Sequence, residues 1–176
     1  MRKIPATLAL FALVLSSPAA SAEFDWSRVD AAFGKKPIVS GAVHKYGLPR
    51  SDLHVTLDGV DIKPALALGG WVAFEPMGRD AMMMGDLVLT EPEINPVMSS
   101  LLAAGVQITS LHNHLLRAHP ATFYMHVSAQ GDPATLAQLV REALGASGTP
   151  FEPAGGGQQA PELGFDASRL DEALGA

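Results

Sequence analysis

Between Leu87 and Leu144 the order of structural signals restricts the chain to few architectures. Leu87-Val88-Leu89 closes an apolar run, and a helix follows. Gly105 ends that helix, and Val106 to His114 reads as a strand. Ala121 to Val127 is a further strand. Asp132 then caps a second helix, with Pro133 in its first turn, a stripe of Leu136, Leu139, Val140 and Leu144, and Gly145 as the stop. Strand, helix, strand, strand, helix predicts an α+β fold: a mainly antiparallel sheet with its helices on one face.

For the first of these helices, Asn95 is the expected N-cap and Pro96 the first helical residue. Val97, Met98, Leu101 and Leu102 form its apolar stripe. Thr90-Glu91-Pro92-Glu93 offers a competing start as a capping box, at the cost of placing Pro96 in the second turn.

Upstream, Phe24 to Gly34 reads as a short helix capped by Asp25 and stopped by Gly34, and Ile38 to His44 as a strand. Leu53, Val55 and Leu57 alternate with polar residues before the hairpin signal Asp58-Gly59. Ala65 to Phe74 suits a buried strand bent at Gly69-Gly70, and Glu75 to Asp80 a loop. Met82-Met83-Met84 and Leu87-Val88-Leu89 predict one bulged strand or two short ones.

Residues 1–22 stand outside that fold. Arg2 and Lys3 precede an apolar stretch from Ile4 to Leu15, and Ala20-Ser21-Ala22 is a small-residue cleavage site. This is the pattern of a signal peptide, and it predicts a periplasmic or secreted protein. The 12 basic residues, less Arg2 and Lys3, against 18 acidic ones leave the mature chain at −8. Such a surface repels phosphates and anionic lipid, so neither nucleic acid nor, after cleavage, a membrane is an expected partner. The chain has no cysteine, which excludes disulfides, thiolate metal sites and a cysteine nucleophile.

A single domain is expected over 23–146, then a flexible linker over 147–163, rich in proline and glycine. The segment 164–176 follows as a helix. Its Phe165 to Gly175 repeats Phe24 to Gly34 at seven of eleven positions, which favours the start of a second, incomplete copy over two similar amphipathic helices with the same capping.

The chemistry concentrates in Leu111-His112-Asn113-His114. Side chains alternate along a strand, so His112 and His114 share a face. His126 lies on the next strand, and antiparallel pairing brings three imidazoles to one end of the sheet. Such a set holds a divalent transition metal, zinc or copper, with a position left open. Parity complicates this. Val106 and Ile108 share a face with His112 only if no bulge intervenes. Phe123, Met125 and Val127 face the core, which leaves His126 with Thr122 and Tyr124 on the other side. Asn113, Thr109 and Tyr124 are the candidates for orienting the imidazoles.

Glu93 is the carboxylate expected to act as general base if the site is hydrolytic. It is equally well placed to start the helix. That helix is about 15 Å long and separates Glu93 from the histidine strand unless the preceding strand returns it. His119, in the loop beside the pair, is either a fourth ligand or a solvated loop residue. His44 and His54 belong to early strands. Met82 to Met84 serve as soft copper ligands or as adaptable core packing. Asp86, Arg50 and Asp52 form either an ion pair supporting the sheet or a substrate contact. The triplet His112-Asn113-His114 does not indicate a nuclease, because the chain is acidic.

Several segments together carry a family pattern: Pro49-Arg50-Ser51-Asp52-Leu53, Pro64 to Trp71, Gly85 to Glu91, Asn95-Pro96-Val97-Met98 leading to Leu111-His112-Asn113-His114, Phe123 to His126, and Gly131-Asp132. The chain resembles the LppY/LpqO-type family of exported bacterial proteins, a domain of unknown function, over roughly Trp26 to Leu144. The resemblance implies export and the domain limits, and it implies no activity. Three functions follow from the residues: a metal-binding domain, a metal-dependent hydrolase with Glu93 as base, or a metal-free interaction module in which the histidines are incidental.

Overall fold

The longest strand, β6 (Asp80–Thr90), runs through the middle of a six-stranded antiparallel sheet. The computed structural model describes residues 24–151 and residue 172. The expected signal peptide, most of the linker and nearly all of 164–176 lie outside the described residues. On one side β6 pairs with β5 (Gly69–Met77), then β2 (Val43–Pro49) and β1 (Ile38–Ser40). On the other side stand β9 (Thr122–Gly131) and the edge strand β7 (Gln107–His112).

Three helices cover one face of this sheet: α1 (Trp26–Phe33), α3 (Glu91–Ala103) and α4 (Pro133–Leu144). Their apolar stripes meet the inward rows of the strands. Val29, Phe33, Val97, Leu101, Leu136 and Val140 bury against Tyr46, Val72, Phe74, Met83, Leu87, Met125 and Val127. The expected α+β class and the strand-helix-strand-strand-helix order are therefore present, with only the two-residue strand β8 (Ala118–His119) added.

The opposite face is partly covered too. The hairpin of β3 (Val55–Leu57) and β4 (Val60–Ile62), with β8 alongside, forms a three-stranded sheet. Together with α2 (Pro64–Ala67) it packs a second core of Val55, Ile62, Leu68, Val88, Ala118 and Tyr124. The hairpin turns at Asp58-Gly59, both at positive φ (51° and 82°), as the dipeptide predicts.

Four local expectations are corrected. Ala65–Phe74 is not one strand: Pro64 starts a turn of helix, and the strand begins only at Gly69. The 75–80 region is a tight hairpin rather than a loop, because β5 and β6 pair as far as Met77 and Asp80. Ile38–His44 divides at a turn into two paired strands. Helix α3 starts at Glu91, not Pro96. Thr90 and Glu93 complete a reciprocal capping box, so Pro96 lies inside the helix. Glu93 is also tied to Arg50, and these bonds outweigh the one backbone bond that Pro96 cannot make.

Candidate metal centre

β7 brings His112 to the outer face by means of an irregularity, and the strand ends there, so His114 follows it in the turn and not in the expected strand. Ile108 stands opposite Val127 on the helix-facing side, but Ser110 stands opposite His126 and His112 opposite Tyr124. Thr109 is the extra residue of a β-bulge, and it moves Ser110 and His112 to the face away from the helices. On that face Asp86 of β6 lies opposite His126. One row of side chains across three strands is thus Asp86, His126, Ser110. The next row is Val88, Tyr124, His112.

His112 is the hub of the cluster. Its ring centroid is 4.6 Å from that of His114 and 4.8 Å from that of His126, both edge to face. The Nε2 atoms of His112 and His114 are 2.9 Å apart. Ser110 Oγ lies 3.1 Å from His112 Nδ1, which leaves Nε2 as the nitrogen turned to the cluster. His126 Nε2 points instead toward Asp86, 3.7 Å from Oδ2. The groups therefore form two close pairs. Among the described residues, no three histidine, aspartate or glutamate side chains have their donor atoms gathered at one point ready for an ion.

Tyr124 is the floor of the site. Its ring packs 4.3 Å from His114 and is roughly parallel to His112 at 5.9 Å. Burial, with the negative charge of Asp86 nearby, pushes its phenol pKa up, so it stays protonated and donates to the Ala67 carbonyl. That bond ties α2 to the histidine end of the sheet. Between α2 and the cluster lies an open cleft of about 440 Å³, lined by Ala65, Leu66, Ala67, Gly69, Asp86, His114 and Tyr124.

Other residues singled out from the sequence stand elsewhere. Glu93 Oε2 and Oε1 accept from Arg50 at 2.7 and 3.0 Å, and further bonds come from the backbone N–H groups of Thr90 and Gly148. Burial alone would raise its pKa, but these donors bring it down to about 2. The expected general base is thus a weakly basic, fully engaged carboxylate, and its hydrogen bonds go to none of the histidines. Asn113 Oδ1 accepts from Leu115 N at 2.6 Å and shapes the turn after β7 instead of orienting a ring. His119 is exposed in the small sheet opposite Thr56, His54 sits 3.5 Å from Asp61 at the surface, and His44 stacks on Trp26 at 3.8 Å. Met83 is core. Met82 and Met84 line a separate hollow with Lys45 and Trp71.

Arg50 and Asp52 form the structural ion pair. The guanidinium is 1% exposed and binds Asp52 through two nitrogens, Glu93 through two, and the Val88 carbonyl. Asp86 has no part in it. Its place in the histidine cluster is legible in the sequence only once the register is known: 86 pairs with 126, whereas the sequence says only that both lie in strands.

Residues 27–146 match a family model described as Domain of Unknown Function (DUF1259). No curated protein and no solved structure matches the chain.

Proposed function

The chain belongs to the family described as Domain of Unknown Function (DUF1259), and from that footing we propose that it is an exported, LppY/LpqO-type domain that binds a divalent transition metal, zinc or copper, through His112, His114 and His126. The observation that carries this reading is the 2.9 Å approach of two imidazole Nε2 atoms. Two ring lone pairs this close repel unless a proton or a cation lies between them. Two nitrogens on one tetrahedral zinc stand about 3.3 Å apart, from zinc–nitrogen bonds of about 2.0–2.1 Å. A small opening of the pair therefore admits an ion. His126, with its ring 4.8 Å from His112, is the third imidazole within reach of a rotamer adjustment. The basic start, short apolar core and Ala20-Ser21-Ala22 support export.

The test is metal content. Protein purified without chelator is analysed by mass spectrometry for bound metal, beside His112→Ala/His114→Ala. Stoichiometric zinc or copper in the parent, absent from the double variant, is the expected result. Equal and negligible metal in both overturns the reading and leaves an interaction module.

The cleft beside His114 favours a second reading, a metal-dependent hydrolase acting on a small molecule seated against α2. In that case the base is a group other than Glu93. Turnover of an ester, phosphoester or amide that disappears in the double histidine variant and survives Glu93→Gln supports it.

A further inference from the structure

Asp86 sits in the central strand of the sheet, yet its carboxylate is poorly accommodated. Its Oδ1 is shut off from solvent and has no hydrogen-bond partner among the described residues. Its Oδ2 has one ionic neighbour among them, His126 Nε2 at 3.7 Å, beyond hydrogen-bonding distance. Leaving a buried acceptor unsatisfied is unfavourable, and more so when it is charged. Arg50 lies within the same fold, but its bonds go to Asp52, Glu93 and Val88. The neighbouring Gly85 is tightly packed: a Cβ there would meet Val127 Cγ2 at 2.9 Å and the Trp71 carbonyl at 3.0 Å. The Asp86 carboxylate, short of positive charge among the described residues, lines the cleft it shares with His114.

Resting on the metal reading above, we infer that Asp86 is the anionic fourth ligand of the same centre. Three imidazoles and one carboxylate then surround the ion, and the hard oxygen selects zinc(II) or cobalt(II) over copper(I). The cation supplies the charge that Oδ1 and Oδ2 lack, and the carboxylate lowers the net charge of the bound centre by one. Copper(I) prefers soft sulfur and nitrogen donors and gains little from a carboxylate. The competing role for Asp86 is to orient His126 without touching the ion. That role changes affinity and leaves the coordination geometry as it was.

Cobalt(II) separates these roles, because its visible bands report the ligand set. The purified chain, stripped of metal, is titrated with cobalt(II) beside Asp86→Asn and the His112→Ala/His114→Ala variant. The expected result is binding by the parent, a loss of more than about a hundredfold in cobalt affinity with altered bands in Asp86→Asn, and no binding by the double variant. Copper(I) affinity should change far less in Asp86→Asn. Weaker cobalt binding with the parent band pattern makes Asp86 a positioning residue and overturns the inference while the metal reading stands. Failure of the parent to bind cobalt(II) overturns the inference, and failure to bind zinc and copper as well overturns the metal reading with it. Thermal unfolding guards against misfolding: metal-free Asp86→Asn should melt at or above the parent, since an unpaired charge has been removed. With saturating zinc the order should reverse. A metal-free variant that melts well below the parent also overturns the inference, because Asp86 is then a structural residue.

Discussion

Ser110 stands directly opposite His126 across the β7–β9 ladder, although Ile108, two residues earlier, stands opposite Val127. One unpaired residue, Thr109, separates the two registers. On it depends whether His112 of β7 faces the helices or the open side of the sheet, because a strand turned by one residue exchanges its two faces.

Deleting Thr109 should be tolerated. Removing one residue from a strand ordinarily flips every side chain beyond it, but here the deletion removes the bulge and leaves Ser110 opposite His126. Metal uptake should persist, with stability within about 1 kcal/mol of the parent. Deleting Leu111 instead turns His112 toward Met125 and the helices, and metal uptake should vanish. Metal analysis and chemical denaturation of the two deletions check this.

Glu93→Gln should destabilise without affecting the metal. The substitution leaves Arg50, 1% exposed, with only Asp52 as counter-ion among the described residues. A cost of about 2–3 kcal/mol is expected, below that of a buried charge left wholly unpaired. Urea denaturation reads the loss. Metal stoichiometry should match the parent, and a drop in metal content would return Glu93 to the site.

The same carboxylate sets part of the acid limit. Its pKa falls from 4.5 unfolded to about 2 folded. The folded state therefore favours the ionised form, and this contribution is complete above the unfolded value. It is lost as pH falls from about 4.5 through about 2. The stability gap between the parent and Glu93→Gln should accordingly be constant near neutrality and close across that window. Denaturation midpoints taken in steps from pH 7 to pH 2 test it.

Gly70→Ala should destabilise by about 1–3 kcal/mol. A Cβ there would lie 2.9 Å from the Leu48 carbonyl and 3.3 Å from that of Asp86, backbone atoms that cannot rotate away. Because the residue joins β2, β5 and the strand of Asp86, metal affinity should fall as well. Calorimetry of the metal-free and metal-loaded variant measures both effects.

Tyr124→Phe should cost about 1 kcal/mol by removing the hydrogen bond to Ala67. The aromatic packing against His112 and His114 remains, so the metal should still bind. If the cleft seats a substrate, turnover should change through the freed α2. Comparing metal affinity with turnover in the one variant separates the two effects.

Much of this arrangement is written in local chemistry. Asp132 and Pro133 start α4, Asp25 and Gly34 bracket α1, and Asp58-Gly59 turns the β3–β4 hairpin. Each signal acts within a few residues and needs nothing from the rest of the chain. The alternation of Phe123, Met125 and Val127 with Thr122, Tyr124 and His126 likewise places His126 on the outer face. Other features were open locally. Thr90 and Asn95 are both competent caps, and Arg50 helps to decide between them by binding Glu93 across 43 residues of sequence. The sequence offered both Asp86 and Asp52 for an ion pair with Arg50, yet Asp52 meets Arg50 and Asp86 meets His126.

Alternating polarity and capping residues, read along the chain, were enough to determine an α+β domain with three histidines near one sheet end, because such preferences act between near neighbours. Only the tertiary structure decided that Thr109 bulges, that Glu93 belongs to Arg50, and that Asp86 joins the histidines. These outcomes turn on which strand lies beside which and in what register, and register is set by burial of the whole helix-facing surface, a sum over contacts that no single stretch of sequence contains.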